Sequence, residues 1–428
     1  MRRTISAALA CLIVALHSAG AASRYVIYND IFSHWHVFAG VVATVREHID
    51  PRPDLLWMSE RDPASISTSR HKEPPFGLQE WLGDTPGAPA LQDWTHVEFP
   101  RSPEQAEEEA DITGAMRAAL TWGPVDVLIC VSPELDPYKS CAYAAKYLKA
   151  KRVIALIHRG TFVTTHSWFL QMEGAGGGQV PVHLLALVPH VVTSANHTLK
   201  GSRPIHWATM VAPYRSPQPC EAKACMEGFV VQGSMRYRSG NPRDGFIRDY
   251  DSLFKQMQAD RGSGAVTVKI LGRGNAHDLN LPPALEPRVA YYGGIPFPEY
   301  WELIDKSYAL VPFHGTPQYY TVRCSSTVLA SLTTCVPLIA NDELLAAYHM
   351  FRKEHVYYQA PGESEMDVMK RVMALPEREL LAKRAAVCRL RDEQLRRGAG
   401  VIKELARGAV DAGAAAAERA ARTSDTKA

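Results

Sequence analysis

Short apolar segments alternate with helix-like stretches along most of this chain, and no other feature of its sequence constrains the fold as strongly. Strands separated by helices predict a parallel sheet with right-handed crossovers, because parallel neighbours need a long connection. The alternation occurs twice, within residues 24–215 and 228–385, and residues 216–227 between them have the composition of a linker. We therefore expect an α/β protein with two Rossmann-like domains facing each other across a cleft. A C-terminal helix and an alanine-rich tail are expected within residues 386–428.

The apolar segments are the predicted strands. In the first half they are Arg24–Asn29, Asp54–Met58, His96–Phe99, Val125–Val131 and Val153–Ile157, and the segments Val188–Thr193 and Trp207–Val211 close that half. In the second half they are Gly228–Gly233, Val266–Gly272, Val289–Tyr292, Tyr308–Phe313 and Pro337–Ala340. Helical patterns predict helices at His36–His48, Pro103–Leu120, Tyr138–Leu148, Arg243–Ala259, Pro298–Ser307, Ser364–Met373 and Glu377–Leu405. Because such sheets bind ligands beyond the carboxyl ends of their strands, the cleft is the expected site.

One segment of the second half has the features of an anion site. Arg323 precedes Ser325, Ser326 and Thr327, and a short apolar helical pattern follows. Ser325 or Ser326 is a natural N-cap, and the buried-strand pattern Pro337–Ala340 comes after the helix. Free amides at a helix start, two hydroxyl groups and an adjacent arginine are typical of a site for phosphate groups. An ordinary capped helix is the alternative interpretation.

The order basic-x-Ser-Ser-x, helix and Pro-Leu-Ile-Ala resembles the donor-binding segment of GT-B glycosyltransferases. The resemblance is to the group related to glycosyltransferase family 4, in particular to an algal and fungal branch, and it covers Gly228–Tyr348 best. The sequence departs from that wider family at three places. Val322 and Ala330 stand where the family has two glutamates, and Ser234 stands where it has an arginine directly after Gly233.

The resemblance implies which residues form the site. For the donor diphosphate these are Gly233, Arg236, Arg243, Arg323, Ser325, Ser326 and Thr327, with Arg236 and Arg243 replacing the missing arginine. His158 ends an apolar strand and is the catalytic candidate, since related enzymes place a histidine there that contacts the donor sugar. The expected sugar or acceptor pocket is formed by His34, His36, Arg159, His314 and Tyr320. His34 and His36 have no evident third partner, so no metal site is expected.

The predicted function is transfer of a sugar from a nucleotide-diphosphate donor to a hydroxyl acceptor. The resemblance implies retention of configuration without a metal, with the leaving phosphate helping to deprotonate the acceptor. The nucleotide-sugar is a co-substrate, and no cofactor is expected; the acceptor, a glycan, protein or lipid, stays open. The missing glutamates and arginine favour one alternative, an inactive lumenal sugar- or glycan-binding protein on the same fold. A nucleotide-sugar epimerase is the other.

The first 22 residues have the pattern of a secretory signal. Arg2 and Arg3 precede an apolar run from Ile5 to Leu16, and small residues follow it. The sequence predicts either a cleaved signal peptide or an uncleaved anchor of a Golgi type II membrane protein. We therefore expect the secretory pathway, in the ER or Golgi lumen or after secretion. The net charge of +2 gives no electrostatic reason to expect nucleic acid as a partner.

Lumenal residence makes two modifications chemically accessible. Asn196 begins the sequence Asn-His-Thr and is a candidate glycosylation site. Cys220 and Cys225 are close in sequence within the linker and are the best local candidates for a disulfide. Their spacing also suits half of a zinc site, but no second Cys/His pair with matching spacing accompanies them.

Overall fold

The computed structural model describes residues 23–29, 34–58, 77–83, 94–97, 124–136, 140–165, 170, 172, 179–235, 247–260, 266–274 and 276–407. The secretory signal within residues 1–22, the helix Pro103–Leu120, the candidates Arg236 and Arg243, and the alanine-rich tail after residue 407 lie outside them. Elements are labelled in chain order among the described residues. No helix there is long and apolar enough to cross a membrane.

The first half forms a sheet of seven described strands in the order β3-β2-β1-β4-β5-β6-β7, and every pair is parallel. The strands are β1 Tyr25–Asn29, β2 Asp54–Met58, β3 Trp94–Val97, β4 Val127–Val131, β5 Val153–Ile157, β6 Val182–Ala186 and β7 Ile205–Trp207. The helices are α1 Trp35–His48, α2 Leu78–Trp81, α3 Ser140–Tyr147 and α4 Pro189–Thr198. β1, β4 and β5 are buried along their whole length, as expected of central strands covered on both faces.

The second half forms a sheet of six described parallel strands in the order β10-β9-β8-β11-β12-β13. The strands are β8 Phe229–Gln232, β9 Val268–Gly272, β10 Val289–Gly293, β11 Ala309–Leu310, β12 Leu338–Ala340 and β13 Val356–Tyr358. The helices are α5 Tyr250–Ala259, α6 Phe297–Asp305, α7 Gln318–Thr321, α8 Ser326–Thr334, α9 Asp342–Ala347, α10 Glu365–Ala374 and α11 Glu377–Arg407. The fold class is thus the expected one: two Rossmann-like sheets with C-terminal helices.

Each sheet reverses its strand order at one place. The first reverses between β1 and β4, and the second between β8 and β11. At such a point the connections leave in opposite directions, which opens a crevice beyond the carboxyl ends of the strands. The residues that follow these strands are therefore placed to form a site, and His34 after β1 and Gly233 after β8 are among them.

The structure corrects two element predictions. The segment Val188–Thr193 is not a strand; Pro189 occupies the first turn of α4, and the missed strand β6 precedes it at Val182–Ala186. The helix predicted from Arg243 begins at Tyr250 instead. Its N-cap is Asp249, whose side chain accepts a hydrogen bond from the amide of Ser252.

The long helix α11 connects the two halves. It packs against α8 of the second half and against α1 of the first, so the C-terminal helix returns to the first half. A disulfide between Cys335, at the end of α8, and Cys388 in α11 fixes the start of this path. The predicted disulfide Cys220–Cys225 is also present, and a third joins Cys130 in β4 to Cys141 in α3.

Candidate active site

A cleft lies between the two halves, at the points where their strand orders reverse. From the first half it is lined by His34, Trp35 and His36, which begin α1. From the second half it is lined by residues that follow β8, β9 and β10 and by the starts of α6 and α8. These are Gln232, Gly233, Ser234, Gly272, Arg273, Tyr292, Gly294, Ile295, Phe297, Tyr300, Trp301 and Ser326. The lining of the cleft thus combines aromatic side chains with a glycine-containing turn and a helix start.

The helix start predicted as an anion site is present. Ser325 is the N-cap of α8, and its hydroxyl accepts a hydrogen bond from the amide of Thr327. Ser325 and Thr327 are fully buried, while the hydroxyl of Ser326 lies at the cleft. The Ser325 amide donates to the phenol oxygen of Tyr348 at 2.9 Å, so this amide is already satisfied. Ser326 is therefore the member of the Ser-Ser-Thr sequence that can contact a ligand directly.

Gln232, at the end of β8, connects this strand to the start of α8. Its Oε1 accepts hydrogen bonds from Ser326 Oγ at 3.1 Å and from Thr327 Oγ1 at 2.9 Å. Gln232 is not among the predicted site residues, because no motif in the sequence marks it. A phosphate group at the helix start would compete with this side-chain carbonyl for the Ser326 hydroxyl.

The buried cation behind the helix start is Arg248. Only 1% of this residue is exposed. It donates from Nε to the carbonyl oxygen of Gln232 at 2.9 Å and from Nη2 to Thr327 Oγ1 at 2.8 Å. Its Nη1 is buried without a hydrogen-bond partner among the described residues. A guanidinium in this position stabilises negative charge that approaches the helix start.

Gly233 makes room for that arginine. Its φ of +152° is in the region that favours glycine, and an added Cβ would lie 2.5 Å from Arg248 Nε. The sequence predicted that a loop arginine would replace the missing family residue and placed it at Arg236 or Arg243. Arg248 and Asp249 lie inside the helix predicted at Arg243–Ala259. Asp249 is a natural N-cap, and this was the signal that the helix begins later and leaves Arg248 in the loop.

Three histidines are grouped at the first-half side of the cleft. The rings of His34 and His158 have centroids 4.1 Å apart, and those of His34 and His36 are 6.1 Å apart. Burial lowers the pKa of His34 to about 3, with smaller effects from His36 and Arg323, and lowers that of His36 to about 4. Burial also lowers the pKa of His158, and the neighbouring cations act in the same direction. The group is therefore neutral and presents hydrogen-bonding nitrogens without charge.

His158 and Arg323 lie where the two halves touch. The carbonyl oxygen of His158 accepts a hydrogen bond from the amide of Cys324 at 3.3 Å, and Arg159 forms an antiparallel bridge with Arg323. The Arg323 guanidinium lies over the Tyr319 ring, 4.1 Å from its centroid, and donates to the Tyr319 hydroxyl. Arg323 and His158 are not among the described residues that line the cleft. His158 lies behind the ring of His34, which lines the cleft, and Arg323 lies at the contact between the halves.

His314 and Tyr320, expected in the sugar pocket, line a different cavity. It lies beyond β11, β12 and β13 and contains the carboxylates Asp249, Glu343 and Glu365. His314 is linked to the N-terminus of α8 through its Nε2, 2.9 Å from Ser325 Oγ. Because Ser325 separates the two sets, the geometry does not bring these residues together with His34 and His36. In the described part of the chain, no group of three or more His, Cys, Asp or Glu could hold a metal ion.

Comparison with solved structures identifies this architecture. A glycosyltransferase from Rickettsia africae aligns over 91% of this chain and 100% of its own, at 10% sequence identity and a TM-score of 0.56. HepE from Anabaena, crystallised with UDP and glucose, aligns over 90% of this chain and 100% of its own, at 9% identity and a TM-score of 0.54. The sequence matches no protein-family model, and no curated protein matches it. The two sheets facing each other across the cleft, with α11 joining them, give this chain the GT-B fold.

Proposed function

We propose that the protein is a glycosyltransferase that moves a sugar from a nucleotide-diphosphate donor to a hydroxyl acceptor. The observation that carries this proposal is the meeting of three features at one end of the cleft. The Gly233–Ser234 turn and the Ser326 hydroxyl line it, and the buried Arg248 lies behind them. HepE and the Rickettsia protein share the fold, and HepE was crystallised with UDP and glucose.

The proposed reaction needs positive charge at the leaving group. As the bond to the sugar breaks, negative charge grows on the departing diphosphate, and preorganised donors stabilise it. Arg248, the start of α8 and the Ser326 hydroxyl supply such donors in this chain, so the reaction needs no metal. The neutral His34, which lines the cleft, provides hydrogen bonds to sugar hydroxyls, and the His158 ring packs against it. We infer retention of configuration from the resemblance to the family 4 group, in which the leaving phosphate itself helps to deprotonate the acceptor.

The cellular setting is part of the proposal. We place the protein in the secretory pathway, in the ER or Golgi lumen or secreted, with residues 1–22 as a signal peptide or membrane anchor. The disulfides Cys130–Cys141, Cys220–Cys225 and Cys335–Cys388 support this placement, because structural disulfides form in oxidising compartments. Asn196 remains a candidate glycosylation site, although it is half-buried within α4.

One observation favours the alternative of an inactive sugar-binding protein. The hydroxyl groups of Ser326 and Thr327 already donate hydrogen bonds to the Gln232 side chain. The amide of Ser325 already donates to the Tyr348 hydroxyl. In an active enzyme the Gln232 side chain must rotate away when the diphosphate binds. Replacement of Gln232 by Ala separates the two candidates: it strengthens UDP binding if the diphosphate displaces this side chain.

The direct test measures UDP and GDP binding by calorimetry and sugar transfer with a panel of nucleotide-sugars. Ser326→Ala is expected to weaken nucleotide binding about tenfold or more, since a hydrogen bond to a charged group contributes about 1.5–3 kcal/mol. The matched control is Ser364→Ala, which removes the N-cap hydroxyl of α10 away from the cleft. It should lower stability and leave binding unchanged. Equal nucleotide affinity in wild type and Ser326→Ala would show that the diphosphate does not bind at the start of α8.

A further inference from the structure

A buried glutamate lies beneath the loop that carries His158. Glu134 belongs to a 3₁₀ turn at Pro133–Leu135, directly after β4, and none of it is exposed. Its Oε1 accepts hydrogen bonds from two consecutive backbone amides, that of His158 at 2.7 Å and that of Arg159 at 2.8 Å. One carboxylate oxygen thus fixes the backbone at the point where β5 ends and the cleft begins.

The same loop forms the contact between the two halves, which we call the seam: residues 158–160 against residues 322–324. The amide of Gly160 donates to the carbonyl oxygen of Val322 at 2.9 Å. The amide of Cys324 donates to the carbonyl oxygen of His158 at 3.3 Å. Residues held by Glu134 on one side therefore bond to the second half on the other. A shift of this loop would move His158 and the seam together.

We propose that Glu134 is a positioning residue for the transfer reaction: its buried carboxyl group holds His158 in register with the second half, and ionisation of that group loosens the seam. The inference rests on the proposed transferase function for its catalytic consequence. Its structural part concerns only the seam and stands independently of that function.

The surroundings of Glu134 allow its charge to change near neutral pH. Burial raises its pKa to about 7, while its hydrogen bonds to the amides of Arg159 and His158 and the Arg159 charge act in the opposite direction. In the part of the chain that the structure describes, Arg159 is a cation that faces it. His34 contacts the adjoining Ser132 and is neutral, and Asp136 on the same turn bonds to Ser140. An opened loop would expose the carboxyl group to water and return its pKa toward the usual value. The closed loop therefore binds the proton more tightly, and ionisation favours opening.

Hydrogen–deuterium exchange on the full chain between pH 5.5 and 8.5 tests the structural part. After correction for intrinsic exchange, the amides of His158, Arg159, Gly160 and Cys324 in the wild type should become roughly tenfold less protected as pH rises from 5.5 to about 7, and should change little above pH 7. Glu134→Gln keeps an acceptor oxygen but cannot ionise, so its protection should not change with pH. Asp136→Asn is the matched control, with the same loss of charge on the same turn, and should keep the wild-type step. The shorter side chain of Glu134→Asp should lose protection at every pH.

Kinetics on the same variants test the catalytic part. The wild type should show kcat falling as pH rises through about 7, and Glu134→Gln should lose this fall while its UDP dissociation constant stays within twofold. A protection step in Glu134→Gln equal to that of the wild type would overturn the proposal. A protection step that disappears without any change in the kcat profile would overturn the catalytic role. Absence of transfer in the wild type, with the protection step present, would reject the transferase and support the control of the seam by Glu134.

Discussion

The imidazole of His34 lies against that of His158, with ring centroids 4.1 Å apart, at the junction of the two halves. Their residues follow β1 and β5 of the first sheet, and the ring of His36 lies near that of His34. His34 Nδ1 is 2.9 Å from Ser132 Oγ, whereas His158 Nδ1 is buried without a hydrogen-bond partner among the described residues. The arrangement requires neutral rings, because two charged imidazoles at this distance would repel each other in a poorly solvated site.

This group predicts a specific sensitivity to acid. Histidine with a lowered pKa in the folded state stabilises the fold above its unfolded pKa, about 6.5. That contribution is lost as pH falls from about 6.5 through the folded values, about 4 for His36 and about 3 for His34. The free energy of unfolding, measured by urea denaturation, should therefore fall between pH 7 and pH 4.5. His34→Asn should make this loss shallower, and His197→Asn at an exposed position should not. An identical pH slope in wild type and His34→Asn would contradict the prediction.

A second prediction concerns Gly233. A methyl group there would meet Arg248 Nε at 2.5 Å in a backbone conformation that side chains rarely adopt. Gly233→Ala should therefore displace the arginine, lower stability by about 1–3 kcal/mol and weaken UDP binding. Calorimetry and urea denaturation measure both effects.

The control for this substitution is Gly400→Ala in the exposed part of α11, where an added methyl group meets no atom within 4 Å. It should increase stability by about 0.5–1 kcal/mol, because alanine is the better helix former. Unchanged UDP affinity in Gly233→Ala would separate Arg248 from donor binding.

A third prediction ranks two disulfides. The Cys335–Cys388 bridge closes 53 residues, and the Cys220–Cys225 bridge closes five. With the loop-entropy relation, Cys388→Ala should lower the free energy of unfolding by about 4 kcal/mol and Cys225→Ala by about 2 kcal/mol. Denaturation of each variant, with the unpaired thiol blocked, measures the difference. A larger loss for Cys225→Ala would show that enthalpy or local strain, rather than chain entropy, decides the ranking.

The elements that the sequence predicted well are those determined by local patterns. Buried strands such as Val153–Ile157 are unbroken apolar runs, and the Ser325 cap depends on residues next to it in the chain. Strand β6 was missed because the strand was placed at Val188–Thr193 instead. Pro189 in that segment is a helix signal, since proline is favoured in the first turn of a helix.

The parts of the site that could not be predicted depend on distant contacts. Arg248 reaches Thr327 across 79 positions of the chain, and Glu134 reaches the amides of His158 and Arg159 from the turn after β4. Neither residue lies in a motif that specifies its partner. The predicted sugar pocket also combined His34 with His314, which line different cavities because the capped start of α8 lies between them.

Helix α11 gives the carboxyl-terminal region a role in joining the halves. It begins beside the second sheet, is bonded through Cys388 to the end of α8, and continues onto α1, where Gly398 approaches Met210 and Thr44. Ending the chain before Gly398 would expose apolar surface on the first half. It would also remove the part of α11 that holds the two halves together. Fusion partners or purification tags are therefore better attached beyond Arg407 than in place of any part of this helix.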